Sequence, residues 1–182
     1  MDVARLLNEH SKLRSLSAAL IEAVSTSEPG DLNELARRRW DLARMVHMHL
    51  AYEERHLFAP LETDPRSKVR LASMRAKRSV EQLHFLYKTH VEQWDVATVQ
   101  SRWPAFQLAV KSLVGRMIDK MNLEETELFP LVANDVATER CWRPGMRNWA
   151  GDGVALQPLI RSLGKRDADA LSATSAARPS KP

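Results

Sequence analysis

The chemistry of this chain concentrates in two stretches 71 positions apart, HLAYEERHLF (49–58) and KMNLEETELFP (120–130). Glu53-Glu54 falls on Glu124-Glu125, and Leu57-Phe58 falls on Leu128-Phe129. The first position differs, His49 in one copy and Lys120 in the other. Two more histidines, His10 and His84, stand 74 residues apart. Residues four apart on a helix project within ~40° of each other. His49 and Glu53 therefore form one inward-pointing imidazole–carboxylate pair, a donor set that suits iron, manganese or zinc rather than calcium or magnesium. Taken singly these signals are weak: a histidine on an apolar stripe is usually a satisfied core residue, and a Glu-Glu pair is usually solvated. The repeat and the shared burial pattern together point to a cation site.

The elements that must position these groups are helical. One amphipathic pattern runs from about Asp2 to Val24, with Val3, Leu6, His10, Leu13, Ser17, Leu20 and Val24 on one stripe. After the break SEPGD, Asp31 caps a second helix to about Phe58, whose stripe carries Leu35, Leu42, Met45, His49 and Glu53. Asp64-Pro65 is expected to open a third helix through Val80, His84 and Val91 to about Trp94. DVATVQSRWP reads as a break, after which Pro104 opens a fourth helix with Lys120, Glu124 and Leu128 on its apolar face. Short connections between four such helices predict an all-α, antiparallel up-down-up-down four-helix bundle over residues 1–137. A short C-terminal helical or loop appendix follows at 138–164, containing Trp142 and Trp149, and then a polar tail at 165–182 expected to be disordered.

Each helix thus brings an ionisable group to the buried side: His10, His49 with Glu53, His84, and Lys120 with Glu124. Burying them unpaired would cost several kcal/mol each, and coordination of a cation removes that cost.

Composition fits one soluble domain. The chain has 182 residues, 44% hydrophobic and 27% charged, with net charge +4. The basic run Lys68, Arg70, Arg75, Lys77 and Arg78 has no interleaved aromatic residues, so nucleic acid is not an expected partner. No apolar run approaches a membrane span, and the single Cys141 suits a reducing compartment. A cytoplasmic location is expected. No paired catalytic residues or substrate pocket can be identified, so enzymatic activity is not expected.

NEHSKLR, HLAYEERHLFAPL, QLHFLY and LEETELFPL together resemble the four helices of the hemerythrin-like (HHE cation-binding) domain, over roughly residues 1–133. The resemblance implies a four-helix bundle holding a non-haem di-iron centre, in proteins that carry or sense oxygen or take part in iron, nitric-oxide and redox responses. It implies His10 as the first-helix ligand, His49 with bridging Glu53 from the second, His84 from the third, and Glu124 as the second bridge. Lys120 stands where that family has its fourth-helix histidine, and Lys88 where oxygen carriers have a second third-helix histidine. The expectation is therefore a reduced iron site of one or two ions, with a diatomic gas as its ligand and Lys120 in place of one cation. The alternative is a metal-free bundle serving as a regulatory or interaction module.

Overall fold

The computed structural model describes residues 2–133, 147–149 and 151–160. Among them every regular element is helical. Helix α1 (Val3–Ala23) opens on Asp2, whose side chain accepts from Arg5 N, and buries Leu6, His10, Leu13, Ser17 and Leu20. That spacing of four and three residues is the stripe read from the sequence. Helix α2 (Leu32–Glu53) opens on Asp31, which accepts from Asn33 N. It buries a wider arc than expected: Leu35, Arg39, Leu42, His49 and Glu53 on one side, and Ala36, Ala43, His47 and Leu50 on the other.

A π-helical turn, Glu54–Phe58, continues α2 into the short α3 (Ala59–Leu61). Helix α4 spans Ser67–Gln93. It begins two residues after Pro65, because Asp64 accepts from Arg66 N and from its guanidinium, closing a turn where a first helical turn was expected. The stretch read as a break carries its own helix, α5 (Val96–Ser101), since Asp95 accepts from Thr98 N. Helix α6 (Trp103–Leu123) has Pro104 in its first turn and ends in a second π-helical turn, Glu124–Leu128, followed by α7 (Phe129–Val132).

Helix α1 packs against α2 and α6, and α4 packs against α6. Two apolar clusters result. One holds Leu13, Leu20, Leu42, Trp94, Trp103, Phe106, Val110 and Met117. The other holds Leu6, Leu50, Leu57, Phe58, Ala76, Val80, Leu128 and Phe129. His10 lies between Leu6 and Leu13, and Glu124 between Met121 and Leu128, so the polar groups form a layer between the clusters. Trp149 joins the second cluster, and Leu156 and Ile160 pack on Ala43 and Val91. That packing explains the second buried side of α2. Trp142, Cys141 and the tail at 165–182 lie outside the described residues. Among those described, no helix is long and apolar enough to cross a membrane.

His90 stacks on Phe106 at 5.8 Å inside the first cluster. Burial, helped by the nearby Arg39 charge, drives its pKa from 6.5 down to about 3. The folded state holds the neutral ring, whereas the unfolded chain takes up a proton below pH 6.5. Stability from this residue is therefore complete above pH 6.5 and is lost as pH falls toward 3. Urea unfolding between pH 7 and 5 is expected to lose roughly 1 kcal/mol per pH unit from this source. His90→Leu should make the acid limb shallower; an unchanged limb would remove His90 as its cause.

Candidate metal centre

His10, His49, Glu53 and Glu124 come together in the polar layer, each offering a ligand atom within 4.8 Å of the others. All four side chains are buried, and the two carboxylates are 0% exposed. Helix α1 supplies His10, the last turn of α2 supplies His49 and Glu53, and the start of the second π turn supplies Glu124. The π turns begin at Glu54 and at Glu124, so the same backbone feature recurs in both copies, one position out of register with the repeat in sequence. In each, the carbonyl of the first residue (Glu54, Glu124) accepts from an amide five residues on (Ala59, Phe129), immediately before Pro60 and Pro130. Proline has no N–H to continue the α-helical ladder, and the wider turn accommodates it.

The two imidazoles are oriented from outside. His49 Nδ1 lies 2.9 Å from Glu9 Oε2, and His10 Nδ1 lies 2.7 Å from Glu125 Oε1. Carboxylate acceptors fix the proton on each Nδ1 and leave Nε2 facing inward, the arrangement that tunes histidines for metal ligation. The two Nε2 atoms then stand 3.2 Å apart. Two nitrogens sharing one cation at ~2.0–2.1 Å would be separated by about this much. His49 Nε2 is 2.9 Å from Glu53 Oε1, and His10 Nε2 is 3.4 Å from Glu124 Oε2.

Lys120 occupies the remaining space, 2% exposed. Its Nζ donates to both oxygens of Glu53, at 2.7 and 2.6 Å, and lies 2.7 Å from Glu124 Oε2. Glu124 is the less satisfied acid. Its close approach to Lys120 is an ion pair without hydrogen-bonding angles, and both its oxygens lack a hydrogen-bond partner. The electrostatics divide accordingly. Glu53 is held well below the usual carboxylate range because His49 and Lys120 outweigh its burial. Glu124 is pushed up by burial and by Glu53. Lys120 is raised despite burial by the two acids. For His10, burial pulls down but Glu124 and Glu53 win, giving about 9. The donor set, the inward-facing Nε2 atoms and the Glu124 oxygens fit one cation, which would displace the second proton of His10 on binding.

Sequence reasoning placed four of these residues and missed the outer carboxylates. Glu9 also binds Arg5, and Glu125 also binds Arg14. Their signal was adjacency: each precedes or follows a buried donor, one helical step of ~100° away. The matched position Glu54 does something else, pairing with Lys77 of α4.

His84, expected as the third-helix ligand, stands apart from the four. Its ring meets Trp149 at 5.0 Å and His47 at 6.2 Å, and its Nε2 lies 3.8 Å from Asp152. Burial and Arg147 lower its pKa to about 4. The reason is direction. Val80 belongs to the second cluster and Leu83 to the first, so His84 stands near the level of the polar layer. Its ring turns instead toward His47 on the other side of α2, Trp149 and Asp152. His56 also lies elsewhere, stacked on Tyr52 at 4.4 Å.

Residues 1–132 match the family model for the hemerythrin HHE cation binding domain, and the chain belongs to that family. No curated protein and no solved structure matches it.

His49→Ala is expected to abolish tight metal binding, whereas His84→Ala should leave the metal content per chain unchanged. Elemental analysis of the two purified variants checks this, and metal loss in His84→Ala would return His84 to the ligand set.

Proposed function

We propose that this HHE-family protein is a non-haem iron protein with a reduced, mononuclear site, which binds or senses oxygen or nitric oxide. The observation that carries the reading is Lys120. Its ammonium lies between Glu53 and Glu124, where a second cation would otherwise balance two buried carboxylates. His10, His49, Glu53 and Glu124 would hold the single ion. Iron so placed supplies an open coordination position and reversible electron transfer. The protein's own groups do the rest. Glu9 and Glu125 hold the imidazole protons at Nδ1. Lys120 keeps the carboxylates neutralised when the ion leaves. The apolar side of α4, with Ala76 and Val80, contributes no ligand for a second ion.

The up-down-up-down order of four long helices is part of this reading, as is a cytoplasmic setting suited to the lone cysteine. Manganese and zinc are the competing ions, because imidazole and carboxylate serve them as well.

One observation favours a second reading, a metal-free bundle acting as a regulatory or interaction module. Lys120 already satisfies Glu53 through two hydrogen bonds, without any metal.

Metal analysis with an absorption spectrum, in air and without it, separates the two. One tightly bound iron per chain, with a melting temperature that falls on chelation, is expected. Two tight irons would refute the mononuclear reading; no metal and a chelator-insensitive melt would favour the second. Lys120→Ala should destabilise the chelated protein by about 3–5 kcal/mol, because it leaves two buried carboxylates unbalanced, and metal should restore part of the loss.

A further inference from the structure

Between α2 and α4, at the level of His47 and His84, the bundle contains a cavity of about 60 Å³. That is room for about four or five water-sized spheres, or one small organic molecule of about as many heavy atoms. Its walls are mostly aliphatic, including Leu42, Val46, Val110 and Val114. Five polar side chains interrupt them, Arg39, His47, His84, Tyr87 and His90, and three of these carry a buried atom without a hydrogen-bond partner: Arg39 Nη2, His47 Nε2 and Tyr87 Oη. Apart from the Glu124 oxygens, these are all the unpartnered buried side-chain atoms among the described residues. Their gathering around one cavity is unlike the scatter that incidental packing faults would give, and natural proteins rarely leave such groups unmade.

Arg39 is the most telling. It is 6% exposed, its Nη1 reaches only Trp94 O at 3.5 Å, and its guanidinium faces the Phe106 ring at 5.4 Å. Among the described residues no carboxylate pairs with it. The ionisable groups whose charge it feels or perturbs are Tyr87 and His90. Burial lowers its pKa only to about 10, so it remains a cation at neutral pH. Burial pushes the Tyr87 hydroxyl up, which keeps it a neutral donor. His47 Nδ1 is engaged with Ala43 O at 2.7 Å, which leaves Nε2 as the unpartnered end of the ring. A buried guanidinium without a counter-ion is costly, and an anion in the cavity removes that cost.

We propose that this cavity binds a short-chain monocarboxylate, its carboxylate paired with Arg39 and Tyr87 and its alkyl body against Leu42, Val46, Val110 and Val114. The class follows from the lining. One guanidinium and no acid call for a single negative charge. The planar fork of nitrogens matches a carboxylate. The aliphatic walls favour an alkyl body, and the volume limits the ligand to about two or three carbons. A phosphate would bring a second charge with nothing to meet it. The site uses none of the residues assigned to the metal.

Propionate is the probe. Calorimetric titration and thermal melts of the full, metal-loaded chain compare sodium propionate with sodium chloride at equal ionic strength. Saturable heat and a melting temperature that rises with propionate but not with chloride are expected. Arg39→Met should abolish both, and Tyr87→Phe should weaken binding about tenfold, the loss of one charge-assisted hydrogen bond. Absence of saturable heat overturns the proposal. So does undiminished binding in Arg39→Met, which would place the carboxylate at the metal instead. Should Arg39→Met fail to fold, Tyr87→Phe decides: propionate bound as tightly as by the parent overturns the assignment.

Discussion

The contact between the Lys120 ammonium and the carboxylates of Glu53 and Glu124 governs the centre of this molecule. Two acids at zero exposure cannot remain ionised side by side without a cation, because desolvation and mutual repulsion both oppose it. The lysine reaches Glu124 four residues along its own helix and Glu53 across the core at the end of α2. One side chain therefore sets the charge state of the layer and ties α6 to α2. The asymmetry between the acids follows from how it is shared. Glu53 receives two hydrogen bonds and is driven toward ionisation, while Glu124 receives only an ion-pair contact and is driven the other way.

Around this contact the polar groups form one continuous chain of alternating basic and acidic side chains from surface to surface. It runs Arg5, Glu9, His49, Glu53, Lys120, Glu124, His10, Glu125, Arg14, with each step an ion pair or imidazole–carboxylate contact. Its ends are solvated arginines and its middle is dry. A chain of this kind makes a buried polar layer tolerable, because each interior group meets an opposite partner. It also orients both imidazoles by the same device, a carboxylate on Nδ1, although the two carboxylates come from different helices. Glu9 lies beside His10 in sequence yet serves His49; Glu125 lies beside Glu124 yet serves His10. The helices are thus cross-braced at the layer where donors must converge.

Much of this was legible in the residues, for identifiable reasons. The stripe of α1 appeared complete because that helix buries a single narrow face, and heptad-like spacing reports such a face directly. The 71-residue offset located Glu53 and Glu124 because the two copies share side chains and also a π turn before a proline, although the turns and prolines recur one position out of that register. Lys120 was expected to neutralise the acids and does so. His84 stands apart by direction: its ring faces His47, Trp149 and Asp152, partners that spacing within α4 does not report. Helix α5 was missed because one cap, Asp95, outweighs a composition that reads as a break. The outer carboxylates were missed because a solvated Glu and a Glu on an imidazole look alike until the partner helix is in place.

The bundle holds a second polar region, and the contrast between the two separates folding from function. In the metal layer the buried acids meet the Lys120 ammonium, so the layer holds together on the protein's own charges even though the Glu124 oxygens lack a hydrogen bond. Around the cavity between α2 and α4, Arg39, His47 and Tyr87 each keep an atom unmet. Core stability alone would favour an aliphatic residue at position 39, since Leu35 and Leu42 flank it on the same side of the helix and Phe106 already fills the space opposite. A buried cation in that setting opposes folding, whereas Lys120 supports it. Rules that serve the fold are broken in proteins mainly where something else must be bound. Here the break centres on Arg39, nearly three turns along α2 from His49, among residues outside the candidate ligand set.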